Sequence, residues 1–160
     1  MGTLWAMRPR ARRPIIAAPA THEVVIGRPA EVVYRFCRDL TNAARYVGDV
    51  DRAERLSDVA YRWHVTQRGR LAVSMTVIVT ADQPPHLLRY RSRGPRALRG
   101  EWEFRFSGER PDVTRVHETL RVPLGPVGRV LLAMLGKFPD AEVRDNLERM
   151  RHVLEADRTR

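Results

Sequence analysis

An apolar stripe with the period of an α-helix ends the chain and needs a surface to pack against. It runs from Gly125 to Ala156 in two parts, up to Phe138 and from Val143, and within each part the apolar residues are one, three or four positions apart, with charged residues around the other side. Its members are Val127, Val130, Leu131, Met134, Leu135, Phe138, Val143, Leu147, Met150 and Leu154. The pattern predicts one long helix, kinked where Gly136 and Pro139 interrupt it. A helix of about 30 residues spans roughly 45 Å, so it needs a broad sheet to lie across.

The rest of the chain alternates with the period of two that is typical of β-strands. Strands are predicted at His22–Gly27, Val50–Leu56, Ala60–Gln67, Leu71–Ala81, His86–Arg93, Leu98–Ser107 and Val113–Val122. One face collects mostly apolar residues, namely Tyr61, Trp63, Val65, Leu71, Val73, Met75, Val77, Val79, Leu88, Tyr90, Ser92, Trp102, Phe104, Phe106, Thr114, Val116, Glu118 and Leu120. The other face is rich in arginine, glutamate and histidine, so only one side of this sheet is dry.

These elements define an α+β fold class. A helix that opens at Arg28–Glu31 and a short turn over Thr41–Tyr46, with Thr41 as its cap, follow the first strand. We predict a seven-stranded antiparallel sheet curled around a long C-terminal helix, with two short helices after strand 1. Residues 1–20 hold three prolines and four arginines without periodicity and are predicted to form a disordered basic arm, so residues 21–157 form the single domain.

Composition narrows the function classes. The chain has 160 residues, the size of one domain, and no run of about 18 apolar residues that could span a membrane. The single cysteine, Cys37, excludes an internal disulfide and is typical of the cytoplasm, and its apolar neighbours indicate a core position. The net charge of +10 includes four arginines of the arm, and the other basic residues are scattered, which gives only weak support for a nucleic-acid or ribosome partner. The five histidines lack metal-ligand spacing and no phosphate loop occurs, so no metal and no cofactor is predicted.

Five short segments resemble a known family. They are Arg28-Pro29-Ala30-Glu31-Val32-Val33-Tyr34, Tyr61-Arg62-Trp63, Leu88-Arg89-Tyr90-Arg91-Ser92, Thr114-Arg115-Val116, and Leu135-Gly136-Lys137-Phe138-Pro139 with Asn146-Leu147. The chain from about Thr21 to Glu155 resembles the SRPBCC superfamily of START-like helix-grip proteins, in its polyketide cyclase/dehydrase branch. The resemblance implies an apolar pocket between the sheet and the long helix for a hydrophobic or aromatic small molecule. Members include enzymes of antibiotic biosynthesis that cyclise or dehydrate polyketides, plain binders, and one branch that resembles a ribosome-association toxin.

Glu118 departs from the apolar pattern of its face, between Val116 and Leu120. A carboxylate in an apolar wall is unfavourable when ionised, so its pKa is predicted to rise toward neutrality. Such an acid can move protons in an aldol cyclisation or a dehydration. The structural alternatives are a salt bridge to an arginine at the rim, or a strand whose register is slipped by a bulge.

The other candidate residues project from the same face. Tyr90 and Ser92 are predicted to polarise a ligand carbonyl and so join Glu118 as the catalytic group, and Tyr61 could also hydrogen-bond a ligand. As the structural alternative, the same tyrosines and tryptophans serve as core residues. Tyr46 is expected near the mouth of the pocket. The predicted ligand-binding residues are Tyr61, Trp63, Met75, Trp102, Phe104, Val116, Met134 and Phe138.

Three functions are compatible with these residues. The first is a cyclase/dehydrase that acts on a hydrophobic, polyketide-derived substrate by acid/base catalysis. The second is a non-catalytic carrier of a lipid or quinone that uses the same pocket. The third is a ribosome- or nucleic-acid-associated module that uses the basic arm. The sequence leaves open whether the protein is an enzyme and whether it forms a homodimer.

Overall fold

The described residues form seven strands and their helices in the predicted order. A computed structural model describes residues 18–67, 71–94, 99–123 and 138–157. The strands are β1 (Ala20–Ile26), β2 (Val50–Arg55), β3 (Ala60–Gln67), β4 (Leu71–Gln83), β5 (Leu87–Arg93), β6 (Glu101–Arg110) and β7 (Val113–Arg121). The helices are α1 (Ala30–Arg38), a 3-10 turn (Leu40–Asn42), α2 (Ala43–Tyr46) and α3 (Pro139–Ala156). The predicted α+β helix-grip fold is confirmed.

The sheet is antiparallel and has the order β1-β7-β6-β5-β4-β3-β2. Helices α1 and α2 connect β1 at one edge of the sheet to β2 at the other edge. Strand β1 pairs with β7, the last strand of the chain. The register shifts at Val50/Arg52, Val79/Ala81 and Gly108/Arg110. Such irregularities bend and twist a strand, and three of them help this sheet to curl toward α3.

Helix α3 packs against the inner face of the sheet through one stripe of its own. Val143, Leu147, Met150 and Leu154 are buried, as the spacing of the apolar residues predicts. The sulfur of Met150 lies 3.6 Å from the sulfur of Cys37 on α1, which joins the two helices in the core. The prediction that Cys37 is a core residue is confirmed, since it is 1% exposed.

Helix α3 begins at Pro139 instead of being kinked there. Phe138 has an extended backbone, with φ of −117° and ψ of 94°, and Pro139 takes the first turn, where its missing N–H is not needed. Phe138 is 56% exposed, so it does not continue the buried stripe. The first part of the predicted helix, including Met134, and most of the predicted basic arm lie outside the described residues. None of the helices in the described ranges is long and apolar enough to cross a membrane.

The caps of the short helices differ from the prediction. The side chain of Asp39 caps the 3-10 turn, because it accepts hydrogen bonds from the Thr41 N–H at 3.2 Å and from the Thr41 hydroxyl at 2.8 Å. Helix α2 then begins at Ala43, so Thr41 is not its cap.

The outer face of the sheet holds one buried carboxylate that alternation would expose. Glu103 is 6% exposed, and it accepts hydrogen bonds from Arg89 at 2.5 Å and Arg105 at 2.9 Å. Burial opposes ionisation of Glu103, but these hydrogen bonds outweigh it and hold the pKa of Glu103 below its usual value. Arginine side chains therefore cover this part of the polar face.

Candidate functional site

A cluster of aromatic rings fills the inner face of the sheet around Tyr90. The register of β5 and β6 sets Tyr90 opposite Trp102, and their rings stack with centroids 5.4 Å apart. Tyr90 also stacks on Phe104 at 5.8 Å and meets Trp63 edge-to-face at 5.8 Å. Trp63, Tyr90 and Phe104 are at most 1% exposed, whereas Trp102 is half-buried. The cluster therefore approaches solvent only at its Trp102 side.

Glu118 lies in the same row of the sheet as Phe104. Strand β7 is paired so that Phe104 of β6 and His22 of β1 are its direct cross-strand neighbours. The Glu118 side chain is 2% exposed, and its Oε2 has no hydrogen-bond partner among the described residues. Burial raises the pKa of Glu118 to about 8. A carboxyl in this state is mostly protonated at neutral pH, so it can donate a hydrogen bond or a proton.

The two structural alternatives for Glu118 do not hold in the described part of the chain. No arginine, lysine or histidine there forms an ion pair with its carboxylate, and burial is the one cause of its raised pKa. The register of β6 and β7 is continuous from Glu101↔Arg121 to Gly108↔Thr114, and its single shift lies beyond Gly108. Glu118 therefore points inward because the alternation of β7 requires it, and a bulge does not place it there.

Two further titratable groups share the interior with Glu118 and were not predicted as site residues. Tyr46 of α2 is 2% exposed, and its hydroxyl is hydrogen-bonded to that of Tyr90. Burial raises the pKa of Cys37, Tyr46 and Tyr90, and the Glu118 charge raises each of them further. The expectation that Tyr46 lies at the mouth is wrong, because the single turn of α2 directs it into the core.

Ser92 lies at the end of β5 and is bound to the backbone of Gly100. Its Oγ accepts the Gly100 N–H at 2.8 Å, and its own N–H donates to the Gly100 carbonyl at 2.9 Å. It follows Tyr90 on the same face of the strand, one row farther from Glu118. The structure thus brings Glu118 and Tyr90 together and gives Ser92 a contact that closes the β5–β6 connection.

The other predicted ligand-binding residues divide between the core and the surface. Tyr61, Met75 and Val116 are buried on the inner face. The hydroxyl of Tyr61 accepts a hydrogen bond from Arg38 at 3.1 Å, and the indole N–H of Trp63 donates to the Leu40 carbonyl at 3.1 Å. Both side chains therefore have protein partners for their polar atoms. Phe138 is exposed, and Met134 lies outside the described residues.

Two pockets are lined by described residues, and both lie at the surface. One, of about 350 Å³, lies at the end of the sheet beside Ser92 and Gly100. The other, of about 400 Å³, lies between Tyr34 of α1 and the turn at Pro84. Neither is lined by residues of α3, and the prediction of a cavity between sheet and helix stays a prediction. In the described ranges no three histidine, cysteine, aspartate or glutamate side chains are grouped to hold a metal ion.

Solved structures of known proteins share this architecture. The Zhui aromatase/cyclase from Streptomyces sp. R1128 is 20% identical, with a TM-score of 0.70, and the match covers 89% of this chain and 95% of that one. A START superfamily protein from Mycobacterium smegmatis is 14% identical, with a TM-score of 0.69, over 88% of this chain and 99% of that one. A protein from Deinococcus radiodurans is 26% identical, with a TM-score of 0.64, over 88% and 99%. The chain thus has the START-like helix-grip fold.

The sequence also matches a family model over almost its whole length. The model is described as polyketide cyclase/dehydrase and lipid transport, and it matches residues 18–155. The chain belongs to this family. No curated protein sequence matches the chain significantly. The family and its fold are those of ligand-binding helix-grip proteins.

Proposed function

We propose that the protein binds an aromatic or other hydrophobic small molecule that carries a carbonyl group, and that Glu118 acts on it as an acid in a cyclisation or dehydration of the polyketide type. The observation that carries this proposal is the buried Glu118 carboxyl, which has a raised pKa and an Oε2 atom without a described partner. An unpaired polar atom in a core destabilises the folded protein, so its presence needs an explanation, and acid catalysis is one.

The chemistry follows from the proton on Glu118. In the dehydration of a β-hydroxy ketone, Glu118 gives its proton to the departing hydroxyl group, which leaves as water when the carbon–oxygen bond breaks. As that bond breaks, the other oxygen of the Glu118 carboxyl takes the proton from the carbon next to the carbonyl group, the electrons of this carbon–hydrogen bond form the carbon–carbon double bond, and the acid is restored. The Tyr90 hydroxyl takes no part in this step, because it is hydrogen-bonded to that of Tyr46. Ser92 takes no part in this step, because its hydroxyl is bound to Gly100.

The partly exposed Trp102, at the edge of the aromatic cluster, suits a route by which a ligand enters the interior. Trp102 is half-buried, and Met75, Ser92 and Leu120 around it keep 7%, 7% and 8% of their surface exposed. The rings nearer to Glu118 are covered by other side chains. We therefore expect a ligand to enter along Trp102 and to displace side chains that cover Tyr90 and Glu118.

A matched pair of probes tests the carbonyl preference. The probes are 2-acetylnaphthalene and 2-ethylnaphthalene, which differ by one carbonyl group in place of one methylene group. We expect the protein to bind the ketone about ten-fold more tightly, because one hydrogen bond contributes about 1–1.5 kcal/mol net. In the Glu118→Leu variant the two probes should bind equally. Quenching of tryptophan fluorescence measures both affinities.

Glu148→Leu is the matched control, because Glu148 lies on the solvent side of α3 and pairs with Arg151 at 2.6 Å. This variant should keep the preference for the ketone. Equal binding of the two probes by the unmodified protein would contradict the proposal, and so would a preference that survives in Glu118→Leu. Equal binding by the unmodified protein would show that the site has no donor for the carbonyl group. A preference that survives in Glu118→Leu would show that Glu118 is not the donor.

A further inference from the structure

The pocket at the end of the sheet has an excess of positive charge. It has a volume of about 350 Å³ and lies where β5 and β7 end and β6 begins. Arg91, Arg99 and Arg121 line it together with one carboxylate, Glu101. Three arginines against one glutamate leave a formal excess of two positive charges. The volume is at the lower end of the range for small-molecule sites in proteins.

Two of these arginines are available to a ligand. Arg121 lies 3.6 Å from Glu101 and 3.7 Å from Glu103, so its charge is shared with carboxylates. Arg99 uses its Nε to donate to the Gly94 carbonyl at 3.1 Å, which fixes the side chain and leaves its terminal amino groups without a partner among the described residues. The side chain of Arg91, a residue of β5, forms no ion pair or hydrogen bond with another described side chain. The positive charge of this pocket therefore comes mainly from Arg91 and Arg99.

The remaining wall of the pocket is apolar or backbone. Val122 and Pro123 line it after the end of β7, and Gly100 lies beneath them. A Cβ atom at Gly100 would come within 2.9 Å of the Trp102 ring, so glycine is needed there for the tryptophan to pack. The Oγ of Ser92 is occupied by the Gly100 N–H. A ligand in this pocket therefore meets guanidinium groups together with an apolar surface.

We propose that this pocket binds a small aromatic or aliphatic carboxylate, with Arg91 and Arg99 holding the carboxylate group and Val122 and Pro123 contacting the apolar part. The planar guanidinium group matches a carboxylate with two parallel hydrogen bonds, and such charge-assisted bonds are stronger than neutral ones. The site is distinct from Glu118, and this inference does not rest on the carbonyl chemistry proposed there.

Titration calorimetry with 2-naphthoate and its uncharged analogue 2-naphthamide tests the inference. At low ionic strength we expect the protein to bind 2-naphthoate at least ten-fold more tightly than 2-naphthamide, and this preference should shrink as salt is added. The double variant R91Q/R99Q should lose the preference. The control R62Q/R110Q removes the same charge from two exposed arginines elsewhere in the sheet and should keep it within two-fold.

Two further measurements locate the ligand. Amide NMR signals of Ser92, Gly100 and Val122 should move when 2-naphthoate is added, and E118Q should bind 2-naphthoate as the unmodified protein does. Equal affinity for the two probes in the unmodified protein would overturn the inference. Equal loss in R91Q/R99Q and R62Q/R110Q would overturn it too, because the effect would then come from net charge. Loss of binding in E118Q alone would place the carboxylate in the interior.

Discussion

The free energy of unfolding of the unmodified protein is expected to fall by roughly 5 kcal/mol between pH 4.5 and pH 8, and replacing Glu118 with glutamine is expected to abolish this fall. The pKa of Glu118 is about 8 in the folded protein, against an ordinary value of 4.5. The two values are about 3.5 pH units apart, and each unit corresponds to about 1.36 kcal/mol. Native domains are stable by about 5–15 kcal/mol, so this one carboxyl accounts for a large share of the total.

The sign follows from proton binding. Between pH 4.5 and pH 8 the folded protein keeps the proton on Glu118, whereas the unfolded chain has released it. Because the folded state binds more protons, stability decreases as the pH rises through this range and then levels off above the folded pKa. Glutamine has no proton to lose, so the E118Q protein has no such slope. Burial raises the pKa of Cys37, Tyr46 and Tyr90, so these neighbours add no slope there.

Urea unfolding at several pH values measures this effect. Subtracting the E118Q curve from that of the unmodified protein removes the titrations that the two proteins share. The control Glu148→Gln, on the solvent side of α3, should follow the unmodified protein at every pH. Parallel curves for E118Q and the unmodified protein would contradict a raised pKa of Glu118.

The same substitution is expected to reduce the dehydration of a β-hydroxy ketone by about 10²–10⁴-fold, the range that one general acid contributes. The probe is 4-hydroxy-4-(2-naphthyl)butan-2-one, whose enone product is conjugated with the ring and is followed by its absorbance. The amide of E118Q fits the same space but cannot give a proton to the departing hydroxyl group. For the unmodified protein kcat/KM should fall as the pH rises through about 8, because Glu118 must start protonated.

Binding and turnover together separate an enzyme from a carrier. A protein that prefers 2-acetylnaphthalene but leaves the β-hydroxy ketone unchanged is a carrier, and that result contradicts the catalytic part of the proposal. If the E118Q variant still dehydrates the β-hydroxy ketone at the normal rate, Glu118 is not the acid. Glu148→Gln, which leaves the interior unchanged, should react at the rate of the unmodified protein.

Alternation along the strands was enough to predict the sheet and the inward position of Glu118. Every predicted strand is present within a few residues of its predicted bounds, because each side chain's face follows from its place in a period of two. The inward face of β7 could be read in the same way, so Glu118 was found as the one carboxylate in an apolar row. The sequence could not show that the Glu118 Oε2 lacks a hydrogen-bond partner among the described residues. That depends on how β1, β6 and β7 pair, and no single segment contains this information.

Other features depended on contacts between distant segments. Helix α2 has a single turn, which is too short for a periodic pattern. The sequence therefore does not predict that the Tyr46 side chain forms a hydrogen bond with Tyr90. The apolar spacing predicts a helix that continues across Pro139, but the proline begins α3 and Phe138 is exposed. Glu103 is buried because arginines from neighbouring strands cover it, and alternation within β6 could not predict this.

A carbon-13 NMR titration of the Glu118 side-chain carboxyl measures directly whether this group is a buried acid. The signal is assigned as the one that is missing from labelled E118Q, and it is followed from pH 4 to pH 10. We expect a midpoint of about 8, and a change in the signal at neutral pH when 2-acetylnaphthalene is added but not when 2-ethylnaphthalene is added. A midpoint near 4.5 would show that the carboxyl is ionised at neutral pH, and it would contradict the account of Glu118 as a buried acid.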